Sequence, residues 1–305
     1  MGHQERDIGR GGQTVVVGVD GSRAAYQAVR WAAIEARLRA ARLLVVHVEP
    51  LAADVVGSDR SWPPGGAILR SSTQVAGEME PGIDIETFTA TGASISEELL
   101  RVSENAHVIA LGIDLTRTRA SHGARGPLED RVAVHADCPV VAVAPLSFIA
   151  PGARTQVTVG WTDNHTAELA IAAAAEEAHL RGIALTVVTV PPWFDPHLAG
   201  IIEPPDHESA LIASAAALEE QYPGLVINIA HRTGDASQVL SGMAATSELL
   251  VLGCHHAKQP WSIRTGPVAE TVMRSGHCPV MLVGRRARKS GVRSPAPRRR
   301  ADSPT

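Results

Sequence analysis

Aromatic side chains are scarce in this chain of 305 residues, at 3% of the total, and there are only three cysteines, Cys138, Cys254 and Cys278. With so little Phe, Tyr and Trp, the core has to be filled from the aliphatic part of a 45% hydrophobic composition: Val, Ile, Leu and Ala, the residues of parallel sheets covered by small-faced helices. Two of the cysteines occupy matching points of an internal repeat, which is a structural habit and not a disulfide framework. No apolar run approaches the ~20 residues of a membrane span, and the first dozen residues lack a signal peptide's apolar stretch. A cytoplasmic protein with no membrane attachment is therefore expected. A formal charge of -4 gives the folded part no electrostatic reason to bind nucleic acid. A nucleophile elbow, a Walker lysine and paired carboxylates at a strand end are all missing, so no enzyme is expected either.

What the chain does have, it has twice. Val15-Val16-Val17-Gly18-Val19 returns as Val157-Thr158-Val159-Gly160-Trp161. Gly126-Pro127 and Cys138-Pro139-Val140 return as Gly266-Pro267 and Cys278-Pro279-Val280. An offset of about 140 residues is a domain's length, not a solenoid's period, so two folded units lie head to tail. The expected organisation is a disordered N-terminus at 1–12, domains at 13–146 and 155–284, and a disordered basic tail at 285–305. The tail is dense in Arg with Ser and Pro between, and it cannot bury a core.

Each unit opens on a β-branched run, Thr14 to Val19 and Gln156 to Trp161, of the kind buried on both faces of a sheet. Asp20-Gly21-Ser22 and Thr162-Asp163-Asn164 follow as turns that offer a helix cap, before Ala-rich segments with helical spacing. Further strands are expected at Leu43 to Val48, Ile83 to Thr89, Val108 to Leu111 and Val140 to Val143. Their second-unit counterparts are Ala184 to Val190, Leu225 to His231, Leu249 to Leu252 and Val280 to Val283. Thr91-Gly92 and Thr233-Gly234 read as turns into helices. Residues 50 to 67 and 191 to 206, holding Trp62 and Trp193, read as loops. The fold class is α/β: two doubly wound, Rossmann-like domains of five parallel strands and four helices each. In such sheets ligands sit beyond the carboxyl ends of the strands.

With these residues the chain resembles the universal stress protein family in its tandem form. The resemblance is carried by Val-Gly-Val-Asp20-Gly21-Ser22, Val-Val-His47-Val48, Gly112, Gly126 and the Cys138-Pro139-Val140 that opens strand five. It implies an adenine-nucleotide alpha-hydrolase-like fold, and in an ATP-binding subset the pattern Gly-x2-Gly-x9-Gly-Ser/Thr after strand four. There glycines and a hydroxyl cradle the phosphates, an Asp after strand one holds the ribose, and backbone after strand two meets the adenine. Carried onto this chain, the resemblance assigns ATP to Asp20, Val48, Gly112 and Gly126 in the first unit, and to Val190, Gly253 and Gly266 in the second. The motif is degenerate in both. Leu115 and His256 stand at its second glycine, and Pro127 and Pro267 at its hydroxyl; Thr162 stands at the place of Asp20. Proline starts a helix well but donates nothing to phosphate. Arg117, Arg119 and Arg125 in one loop, and Lys258 and Arg264 in the other, offer substitute charge.

Cys254-His255-His256 and His277-Cys278 have the chemistry of zinc ligands but poor spacing, and the cysteines read more simply as core residues. Trp62, Trp193 and Trp261 fall in loops. Two functions follow: a non-catalytic stress-response regulator with adenine-nucleotide pockets, or a dimeric interaction protein whose pockets are vestigial. A homodimer joined through strand five is expected, with Val141 and Met281 at its edge.

Overall fold

The computed structural model describes residues 13–50, 64–92, 94–116, 127–147, 152–162, 164–190, 207–254 and 265–287. Residues 1–12 and 288–305, Gly126, the three loop tryptophans, His255, His256 and the loop cations named above lie outside them.

The first unit runs β1 (Thr14–Gly18), α1 (Arg23–Leu38), β2 (Arg42–Pro50), α2 (Gly65–Met79), β3 (Ile85–Gly92), α3 (Ile95–Ser103), β4 (Val108–Gly112), α4 (Leu128–His135) and β5 (Val140–Val143). The second repeats it as β6 (Gln156–Trp161), α5 (His165–Arg181), β7 (Ala184–Thr189), α6 (His207–Gln221), β8 (Ile227–His231), α7 (Ala236–Ala244), β9 (Leu249–Gly253), α8 (Pro267–Ser275) and β10 (Val280–Val283). Within each unit all strands are parallel, and neighbours follow the order β3-β2-β1-β4-β5, mirrored in β8-β7-β6-β9-β10. The order reverses beside the first strand of each unit, which opens a crevice above its tip.

Alternation along the strands builds two apolar layers. Val15, Val17, Val157 and Val159 face one layer, under α1, α2, α5 and α6, with Ala28, Ala32 and Ala174 letting the helices approach. Val16, Leu44, Ile109 and Leu250 face the other, with Leu99, Val132, Leu240 and Val272 of α3, α4, α7 and α8. Side-chain caps start four of the helices: Ser22 Oγ accepts from Ala25 N, and Ser94, Asn164 and Asp235 do the same for α3, α5 and α7. Among the described residues neither α4 nor α8, the two Gly-Pro helices, has a side-chain cap.

Two expectations are corrected. Thr91 and Gly92 do not turn; they end β3, paired with Glu49 and Pro50, because β2 runs longer than expected and its backbone needs a partner to its end. Nor are the strand-five edges free to join a second chain. β5 and β10 pair antiparallel with each other, Val141 opposite Met281, and fuse the two sheets into one of ten strands. Two edges tethered in one chain meet at an effective concentration that a separate chain cannot match. Among the described residues, the outermost strands of the sheet are β3 and β8.

A buried ionic ring beside this junction ties α1 to α5. Arg39 donates to Glu35 and Glu177 and, at 2.7 Å, to Glu176; Arg181 donates to Glu177 and, at 2.6 Å, to Glu35. Glu248 lies 3.5 Å from Arg181. Burial alone would raise the Glu35 carboxyl, but Arg181 and Arg39 outweigh it and hold it at about 2. Burial, and then the charge of Glu35, push Glu177 up to about 7 against the pull of the same arginines. The guanidiniums of Arg39 and Arg181 are raised, since the carboxylates around them outweigh their own desolvation.

Candidate functional site

Above the tips of β6, β7 and β9 lies a cleft of about 150 Å³. Gly160 and Leu252 form its floor, Val188 and Val190 one wall, Ala236 and Leu240 of α7 another, and Thr265 to Ala269 the end where α8 begins. Val190, Gly253 and Gly266, the second-unit residues assigned from the sequence, are brought together here. The floor is tight: a Cβ on Gly160 would lie 2.8 Å from Leu252 Cδ2 and 3.0 Å from Leu240 Cδ1. Gly18 meets Leu111 and Leu99 in the same way in the first unit.

Glycine at the fourth-strand tip has a packing cause of its own. A Cβ on Gly253 would come within 2.9 Å of the Thr166 carbonyl oxygen, and one on Gly112 within 2.3 Å of the Ala24 carbonyl carbon, because the first turn of α5 or α1 crosses there. Gly266 has φ of 102°, a backbone that only glycine adopts without strain, and from it α8 springs into the cleft. Among the described residues no side chain caps the first amides of α8, at the lining residues Val268 and Ala269, and a helix N-terminus favours an anion.

The indole N–H of Trp161, another lining residue, is buried with no hydrogen-bond partner among the described residues, whereas the hydroxyl and amide side chains of the lining are engaged. Thr162 Oγ1 accepts from Asn164 Nδ2 at 2.6 Å, and Asn164 Oδ1 accepts from Thr166 Oγ1 and Ala167 N. Thr265 Oγ1 donates to Asp130 of the first unit at 2.8 Å. Neither this link nor the ring of Glu35, Arg39, Glu177 and Arg181 was expected from the sequence. For the ring the signal was there, a Glu and an Arg four apart at matching places of both Ala-rich helices.

In the first unit Asp20 is exposed at the end of β1, its Oδ1 accepting from Ser22 N at 2.9 Å. Val48 is buried in the α3/α4 layer, two residues past Val46, and His47 Nδ1 lies 2.8 Å from the Val19 carbonyl oxygen. Gly112 ends β4. Asp20, Val48 and Gly112 thus stand at three neighbouring strand ends. The thiols are buried: Cys278 is pushed up to about 12 by burial, and Cys254 is raised by burial and by Asp130, so both remain protonated. His277 is exposed, its Nδ1 3.2 Å from the Ser241 carbonyl oxygen. No helix among the described residues is long and apolar enough to cross a membrane.

Comparison with known proteins gives a consistent result. The model of the Universal stress protein family matches residues 12–144 and again 154–284. A universal stress protein of Mycobacterium tuberculosis is 30% identical over 265 residues, 82% of this chain and 91% of its own length. Another from the same organism is 27% identical over 295 residues, covering 88% and 96%. Among solved structures, a universal stress protein from Archaeoglobus fulgidus superposes with a TM-score of 0.63 at 16% identity, covering 91% of this chain and 98% of that one.

Proposed function

The chain belongs to the universal stress protein family, and from that premise we propose that it is a cytoplasmic stress-response regulator that holds an adenine nucleotide in its second domain without catalysing a reaction on it. One observation carries the reading. The cleft over β6, β7 and β9 gathers Val190, Gly253 and Gly266, apolar walls at one end and the first amides of α8 at the other. A flat apolar ring system suits the Val188 and Val190 end; an anionic group suits the amides of α8. ATP is the nucleotide implied by the family motif, with AMP and cyclic AMP as the comparators. Asp20, Val48, Gly112 and Gly126 are proposed as the matching seat of the first domain, served by the ribose contact that Thr162 cannot reproduce. We take the domains to span 13–146 and 155–284. A homodimer, where it forms, uses β3 or β8, the outermost strands.

Isothermal titration with ATP, AMP and cyclic AMP, together with mass spectrometry of any small molecule retained through purification, tests this. Saturable binding is expected, weakened at least tenfold by Val190→Trp, which fills the apolar end. Binding unaffected by Val190→Trp places the ligand elsewhere, and no binding of any adenine compound leaves the chain as an interaction protein with vestigial pockets.

A further inference from the structure

We propose that the indole N–H of Trp161 is the group by which the second domain's cleft recognises its ligand's base, donating a hydrogen bond to a ring nitrogen of adenine. This rests on the adenine reading of that cleft and adds the residue that reads the base. Trp161 ends β6, lines the cleft and is 8% exposed. Among the described lining residues, its Nε1 is the one buried side-chain nitrogen or oxygen without a hydrogen-bond partner. An indole N–H donates and cannot accept, so only an acceptor answers it. Folded proteins leave few such donors orphaned, because the cost of desolvation then falls on the fold with no bond in return. A cleft at the same residue supplies the reason: the acceptor arrives with the ligand.

The fold puts this donor on the base's side of the cleft. The backbone of Trp161 is paired with Thr189, between Val188 and Val190, whereas the pairing of β6 with β9 stops at Gly160. Its side chain continues the face of Val157 and Val159, while Val188 packs in the opposite layer. A ring held against Val188 and Val190 turns an edge toward Trp161, and the edge of adenine carries acceptor nitrogens. Nε1 is closed to water, so the ligand meets it as the indole turns toward the cleft, a side-chain adjustment common on binding. No bond to water is given up in that step, so the new bond counts for more than the usual exchange. The first domain has no equivalent. Val19, 6% exposed, stands at the matching place without a polar side-chain atom, and the exposed carboxylate of Asp20 beside it only accepts. In the second unit the counterpart of Asp20, Thr162, is bonded to Asn164. The two seats are thus reversed in character: the first asks its ligand for a donor such as a sugar hydroxyl, the second for an acceptor on the base.

Isothermal titration compares AMP, or ATP if that alone binds, with its 1-deaza, 3-deaza and 7-deaza analogues, each of which has C–H in place of one ring nitrogen. The proteins are the full chain and Trp161→Phe, which keeps a ring and loses the N–H. At least one analogue should bind the wild type about tenfold more weakly than the parent nucleotide, and that penalty should vanish in Trp161→Phe. Equal binding of all the compounds by the wild type overturns the proposal with no variant needed, and so does a penalty that persists in Trp161→Phe. The indole N–H resonance missing from the spectrum of Trp161→Phe identifies Trp161 among the five tryptophans. It should move downfield as the nucleotide is added to the wild type, and a resonance unmoved at saturation also overturns the proposal. Melting checks the fold of the variant, and Trp161→Val, with the residue that the first unit has there, serves if the Phe form does not fold. If neither AMP nor ATP binds the wild type, the adenine reading falls, and this proposal with it.

Discussion

Replacing Glu177 by Gln should make the protein more stable at pH 8 while leaving it almost unchanged at pH 5. The ring around Glu177 holds two guanidiniums, Arg39 and Arg181, against the carboxylates of Glu35, Glu176 and Glu177, so the buried charge is out of balance. Glu35 is held at about 2 and takes the benefit of the arginines, while Glu177 is raised from 4.5 to about 7 by burial and by the charge of Glu35. A folded-state value above the unfolded one means that the fold prefers the protonated form. The stability Glu177 contributes is thus fully present below about pH 4.5 and is lost as pH rises through 7. At about 1.4 kcal/mol per unit, the loss is about 3 kcal/mol. Glu35 has the opposite sign, contributing above pH 4.5 and losing its contribution as pH falls toward 2. His107, lowered by burial and by Arg39, stabilises as it deprotonates. Its slope opposes that of Glu177, so the difference between variant and wild type is the quantity to read. Urea unfolding of both proteins from pH 5 to 8 gives it. A difference that does not change over that range, or a variant less stable than the wild type at pH 8, would refute the reasoning.

Ala40 has φ of 49° after α1, where the second unit has Gly182 at 65°; Ala40→Gly should stabilise by about 1 kcal/mol and Gly182→Ala destabilise by as much, read as opposite shifts in melting temperature. Val141→Lys and Met281→Lys place a charge in the buried β5–β10 junction and should lower stability by several kcal/mol in a chain that stays monodisperse by light scattering; a dimer that splits with no loss of stability would contradict the pairing. Arg181→Met leaves Glu35 and Glu177 without one of their partners and should cost about 3–5 kcal/mol at pH 8, measured by denaturant unfolding.

The sheet was legible in the sequence because β-branched runs such as Val15 to Val19 occur twice at one spacing, and repetition separates a buried strand from an accidental apolar stretch. How the two sheets meet was not. Val140 to Val143 reads the same whether its edge joins another chain or β10, since backbone pairing leaves no mark on side-chain pattern. The Glu35–Arg39 and Glu177–Arg181 pairs look locally like solvent-facing i,i+4 pairs, and only the contact of α1 with α5 buries them together. Val190, Gly253 and Gly266, named through the repeat and the resemblance, line one cleft. Gly253 and Gly112, though, are also required by the helix crossing each strand tip, so their presence alone says little about phosphate. Thr265 and Asp130 were missed because their bond spans 135 residues between positions that do not correspond in the two units.

Crystals grown with AMP test the account most directly. The prediction is purine density in the second domain against Val188 and Val190, with the phosphate at the first amides of α8. Purine density at some other place, with the cleft over β6, β7 and β9 left empty, would contradict it.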